Sequence, residues 1–128
     1  MFLSLDFIYL PSRDFDATLE YYTKRLGAEL VWKVRGMGTV VAHVKPAGSG
    51  PALLLSEHLE GAVPILIYRV ADFKKTVTDL KSHGVKGTQL EIPHGPCFSF
   101  EAHGGQRLAV YELVRPEAAT MFEGRIDP

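Results

Sequence analysis

Residues 2 to 10 are apolar or aromatic with Asp6 as the one acidic break, a run that predicts a strand buried on both faces. At Asp14 the period changes. Phe15, Leu19, Tyr22 and Leu26 recur at helical spacing, acidic residues open the stretch, basic residues close it, and Gly27 suits a left-handed C-cap, so a helix is predicted over 14–26. Strands follow over 28–35, 39–45 and 52–57, separated by Gly36-Met37-Gly38 and Pro46-Ala47-Gly48-Ser49-Gly50-Pro51, which have hairpin-turn composition. The same order then returns: a strand over 63–70, a helix over 72–83 closed by Gly84, and strands over 85–92, 97–101 and 107–114. Their turns are His94-Gly95-Pro96 and His103-Gly104-Gly105.

A partial self-match underlies this return. Phe7-Ile8-Tyr9-Leu10-Pro11-Ser12-Arg13-Asp14-Phe15 recurs as Ile65-Leu66-Ile67-Tyr68-Arg69-Val70-Ala71-Asp72-Phe73, an offset of 58 residues. The chain therefore reads βαβββ twice, over 5–60 and 61–114, followed by a tail over 115–128 in which Met121-Phe122 can dock on a neighbouring surface. Two similar units in one 128-residue domain, 1–128, build one pseudo-symmetric object, and the concave seam between them is where a small-molecule pocket is expected.

Charge narrows the partners. With 14 basic against 15 acidic side chains, the net charge of -1 supplies no field to hold nucleic acid or an anionic membrane, so neither is expected as a partner. One cysteine, Cys97, forms no internal disulfide and fits a reducing cytoplasm. The N-terminal run has no basic residues before it and is broken early by Asp6, unlike a signal peptide or membrane span, so a soluble protein is expected.

A tandem βαβββ chain with Asp-Phe opening each helix, and with Gly105-Gln106-Arg107-Leu108-Ala109-Val110-Tyr111 near its end, resembles the vicinal oxygen chelate superfamily over roughly residues 5 to 113. That group includes glyoxalase I, extradiol dioxygenases, and the fosfomycin and bleomycin resistance proteins. The resemblance implies an α+β fold in which the tandem repeats form a curled mixed sheet, a cup with helices on its outer face. It also implies, for metal-dependent members, His or Glu ligands at cup-facing strand positions. Carried onto this chain, those positions are Phe7, seven residues before Asp14; Ile65, seven before Asp72; and Ala109, four after Gly105. The fourth strand reads Ala52-Leu53-Leu54-Leu55. None of these side chains donates to a metal. No metal, no cofactor and no catalytic residue is therefore expected.

The vacated positions leave an apolar floor. Phe7 and Tyr9 share one face of the first strand, Ile65 shares the equivalent face of the fifth, and Ala109 and Tyr111 share that of the last. Phe98 and Phe100 are placed in the same concavity, with His43, set opposite Phe100 by the repeat, and Arg107 at its edge. Tyr9, His43 and Tyr111 combine polar atoms with an inward direction, and Arg107 is expected to form a salt bridge, with recognition of a carboxylate or phosphate as the alternative. The leading expectation is a metal-free protein that binds a small apolar or aromatic molecule in the cup, as bleomycin resistance proteins do, and that assembles as a homodimer. The alternatives are a metal-dependent lyase, isomerase or extradiol dioxygenase with displaced ligands, and a non-catalytic dimeric interaction module.

Overall fold

The computed structural model describes residues 1–36, 38–59 and 62–128. Met37 of the first expected hairpin turn, and the junction between the expected units at Glu60 and Gly61, lie outside the described residues. The elements are β1 (Phe2–Pro11), α1 (Phe15–Glu20), β2 (Glu29–Gly36), β3 (Thr39–Lys45), β4 (Ala52–Ser56), β5 (Ile65–Val70), α2 (Phe73–Ser82), β6 (Gly87–Ile92), β7 (Gly95–Glu101) and β8 (Arg107–Tyr111). Each helix starts where an aspartate caps it. The Asp14 carboxylate accepts the Ala17 N–H at 3.2 Å and Asp72 accepts that of Lys75 at 3.1 Å, satisfying amides that the first turn leaves unpaired. Gly27 and Gly84 close the two helical segments at φ of +74° and +84°.

The first helix departs from expectation. After Glu20 it widens into a π-helical turn, Tyr21–Arg25, in which the Leu26 N–H reaches the Tyr21 carbonyl at 3.0 Å. The Thr23 hydroxyl takes the Leu19 carbonyl at 2.8 Å, the acceptor that a regular α-turn would give to the Thr23 amide.

The eight strands form one mixed sheet in the order β2-β3-β4-β1-β5-β8-β7-β6. Within each half the first strand pairs in parallel with the last, β1 with β4 and β5 with β8, and the halves meet through antiparallel β1 and β5 of the same chain. In this register Phe7 faces Ile67 and Tyr9 faces Ile65, so the repeat is a local twofold centred between Ile8 and Leu66. The fold is α+β, as the resemblance implied.

Each helix covers one half of the outer face. Phe15 packs on Val40, Ala42, Val44 and Leu55 beneath α1, while Phe73 and Val77 of α2 pack on Val70, Phe98 and Val110. Ile65, Ile67, Cys97, Ala109 and Tyr111 form a third cluster on the opposite, concave face, joined by Phe7 and Tyr9. The tail returns to the first half. Its Gly124 N–H reaches the Val31 carbonyl at 3.1 Å, the Lys33 N–H reaches the Arg125 carbonyl at 2.8 Å, and the Asp127 N–H reaches the Lys33 carbonyl at 2.8 Å. The Asp127 carboxylate also accepts the Arg35 N–H at 2.9 Å and pairs with Arg125. Chain 124–127 thereby lies along β2. No described helix is long and apolar enough to cross a membrane.

Candidate ligand-binding cup

The concave face divides into two lobes, each a cavity of about 530 Å³. Tyr9, Trp32, Pro93 and Phe122 border both lobes, with the Phe122 ring edge-on to Trp32 at 5.4 Å between centroids, so the tail supplies part of the partition. Phe7, Tyr9, His43, Ile65, Arg107, Ala109 and Tyr111 all line one lobe or the other.

Phe98 and Phe100 do not. Residues side by side in a ladder share a face, and β7 pairs with β8 as Cys97 with Tyr111, Phe98 with Val110 and Ser99 with Ala109. Because Ala109 and Tyr111 point into the cup, Cys97 and Ser99 do as well. Phe98 is therefore turned outward to the α2 core, where it is 1% exposed, and Phe100 packs against that same cluster. The equivalent of His43 is Ser99, since His43 pairs with Leu54 as Ser99 pairs with Ala109.

Lobe one carries most of the polar chemistry. Between Leu5 and Phe7 the register of β1 against β5 slips by one residue. This bulge lets Asp6 and Phe7, adjacent in sequence, both reach the cup. The Tyr111 hydroxyl donates to Asp6 Oδ2, and the Ser4 hydroxyl donates to Asp6 Oδ1 at 2.7 Å. His94, carried by the β6–β7 turn, lies over Phe7 with ring centroids 4.6 Å apart. On the other wall His43 meets Trp32 edge-on at 5.8 Å, and its Nε2 is buried with no hydrogen-bond partner among the described residues. A buried polar atom without a partner costs free energy. Asp6, Trp32, His94, Cys97 and Phe122 were not anticipated as lining residues. Of these only the aromatic character of Trp32 and Phe122, at strand and tail positions, offered a signal.

Ionisation follows burial. The Tyr9 hydroxyl is pushed up from 10.0 to about 12 by burial, with Cys97 adding to the shift, and burial raises the Cys97 thiol from 9.0 to about 11, helped by Glu91. Tyr111 is raised by burial, by its bond to Asp6 and by the Asp6 charge. His43 and His94 are lowered, chiefly by burial, with Lys45 acting on the first and Arg115 on the second in the same direction. Stability is therefore expected to decline on both flanks. Below the ordinary histidine value of 6.5 the unfolded chain takes up protons that the fold resists, so the contribution of His43 and His94 is present above that value and lost as pH falls through their lowered values. The contributions of Cys97 and Tyr9 are present below 9.0 and 10.0 and lost as pH rises toward about 11 and about 12. Urea denaturation across pH checks this, with Tyr9→Phe and Cys97→Ala each flattening the alkaline flank.

The ion that the superfamily resemblance implies does not suit this donor set. The cup-facing positions from β1, β4, β5 and β8 hold Phe7, Leu54, Ile65 and Ala109, and among the described residues no three His, Cys, Asp or Glu side chains gather closely enough to hold a metal. Glu112 is turned to the outer face, where its carboxylate accepts the Phe73 N–H at 2.8 Å.

Paired βαβββ units sharing one curled sheet around a two-lobed concavity define the class of fold. A family model described as the Glyoxalase/Bleomycin resistance protein/Dioxygenase superfamily matches residues 4–99, and the chain belongs to that superfamily. Among solved structures, the methylmalonyl-CoA epimerase from Mycobacterium tuberculosis is similar at 22% identity and a TM-score of 0.71, covering 92% of this chain and 93% of that one. A Streptomyces coelicolor methylmalonyl-CoA epimerase in complex with 2-nitronate-propionyl-CoA is 18% identical with a TM-score of 0.67, covering 90% and 100%. A hypothetical protein from Bacillus halodurans is 16% identical with a TM-score of 0.67, covering 84% and 92%. At these identities the likeness is one of fold. No curated protein sequence matches the chain.

Proposed function

We propose that this chain is a metal-free small-molecule-binding protein that takes an apolar or aromatic ligand into the cup between its two halves, in a reducing cytoplasm and as a homodimer. One observation carries the reading: the four central cup positions are carbon-only, while the surrounding walls keep space and aromatic surface. Apolar walls with a few convergent polar groups are the usual make-up of a small-molecule pocket. His43 Nε2 supports it as an unpaired polar atom on the wall of lobe one. Trp32 is the single tryptophan and borders both lobes, so its emission reports on occupancy directly. Titration with 8-anilinonaphthalene-1-sulfonate and with biphenyl-4-carboxylate is expected to change Trp32 emission saturably, whereas Trp32→Phe removes the signal and leaves binding measurable by calorimetry. Absence of saturable binding to both probes would overturn the proposal, and so would a stoichiometric transition metal in protein purified without chelator.

A second reading, an isomerase acting on a bound acyl-CoA, is favoured by the gathering of Asp6, His94 and Tyr111 on one wall of lobe one and by the likeness in fold to methylmalonyl-CoA epimerases. Incubation with methylmalonyl-CoA in deuterated water separates the two. Deuterium entering at the acidic carbon, and failing to enter with Asp6→Asn, selects the isomerase.

A further inference from the structure

We infer that the second lobe selects organic anions, an apolar or aromatic body bearing a single carboxylate, with Arg107 as the group that recognises the charge. The inference rests on the binding role proposed for the cup and adds the chemical class of ligand. Arg107 opens β8 on the face shared with Ala109 and Tyr111, and it borders lobe two beside Ile65, its ladder partner on β5. It is half-buried and makes neither an ion pair nor a side-chain hydrogen bond among the described residues. The one carboxylate bordering the same lobe, Glu91, is held by Arg115 at 2.7 Å. Ser99 lies diagonally across the β7–β8 ladder from Arg107 on the same face, so its hydroxyl and the guanidinium define one polar corner. Val34, Val41, Ile67 and Leu90 give the lobe aliphatic walls and Trp32 and Phe122 aromatic ones, while Thr39 and His58 on its border hydrogen-bond each other at 3.0 Å.

A guanidinium in that position matches the planar fork of a carboxylate, and a partly desolvated charge gains from pairing more than an exposed one does. The polar corner and the greasy walls together fit an amphiphile with its charge at one end. A neutral ligand of the same body leaves Arg107 covered and unpaired, which is the source of discrimination.

The test compares biphenyl-4-carboxylate with its methyl ester, two probes that differ in charge and share a body, read by Trp32 emission and calorimetry. Wild-type protein is expected to bind the acid about tenfold more tightly than the ester, the size of one charge-assisted contact. In Arg107→Gln the acid falls to the affinity of the ester while ester binding stays within about twofold, which also shows that the variant is folded. Arg107→Lys restores part of the preference. The inference is overturned if the wild type binds acid and ester alike, or if Lys45→Gln in the first lobe, and not Arg107→Gln, removes the preference for the acid. If neither probe binds the wild type, the reading of the cup as a binding site fails first and this inference falls with it.

Discussion

Phe98→Ala is expected to lower the free energy of unfolding by about 3–5 kcal/mol, the usual cost of truncating a fully buried aromatic side chain without collapse of the space it leaves. The ring is 1% exposed, packs with Val70, Phe73, Val77 and Val110 between the second half-sheet and α2, and carries the Lys81 ammonium 5.8 Å above its centroid. Total stability for a domain of this size lies at about 5–15 kcal/mol, so a single truncation removes a large fraction of it. Urea denaturation followed by Trp32 emission measures the loss. Because Phe98 is on the far side of the sheet from both lobes, the folded fraction should bind biphenyl-4-carboxylate as the wild type does. A stability loss below about 1 kcal/mol, or a large loss of affinity in the folded variant, would contradict the outward placement of the ring.

Gly95→Ala should do damage of a different kind. A Cβ at this position would sit 2.1 Å from the Glu112 carbonyl oxygen and 3.1 Å from a Val114 methyl, so backbone must move to admit it. The move is resisted, because the Glu112 N–H reaches the Pro96 carbonyl at 3.2 Å and the His94 carbonyl accepts the N–H groups of Val114 and Arg115 at 3.0 Å. We expect a loss of about 3 kcal/mol, at the upper end of overpacking costs. Ligand affinity should fall as well, since the same turn delivers Pro93 to the partition and His94 to lobe one. Gly105→Ala is the comparison. There φ is +88° and the nearest atom to a Cβ is 3.9 Å away, so only the left-handed backbone is penalised, at about 1 kcal/mol, and binding should be unchanged. Equal losses for the two variants would show that close approach to Glu112 is not what excludes a side chain.

The order of elements was legible in the chain because the signals that define it are local, whereas the curled sheet that joins them was implied by the resemblance. Asp14 and Asp72 announce their helices, Gly27 and Gly84 end them, and the strand period between them is strong enough to order ten elements. The composition of the cup was only partly legible, since it depends on register, and register is decided between strands. The repeat offset is 58 at β1 and β5, where Phe7 matches Ile65, but 56 at β3 and β7, where His43 matches Ser99. Setting His43 against Phe100 assumed 57, and that difference of one turns a strand over. The same parity error hid Cys97 and Ser99. Asp6 was hidden by the opposite device, a bulge that breaks alternation on β1 and that no side-chain pattern announces. Trp32 and Phe122 entered the cup through contacts between segments 90 residues apart, a distance over which periodicity carries no information.

The course of the tail along β2 has a consequence for growth of the sheet. The Val31 carbonyl, the amide and carbonyl of Lys33 and the Arg35 amide are already spoken for by residues 124–127, so one margin of the eight-stranded layer is covered along its middle from within. The other margin, β6, is exposed along most of its length. A molecule with one blocked and one open border supports a single strand-to-strand encounter between like copies, and such an encounter closes on itself in place of propagating into a fibre.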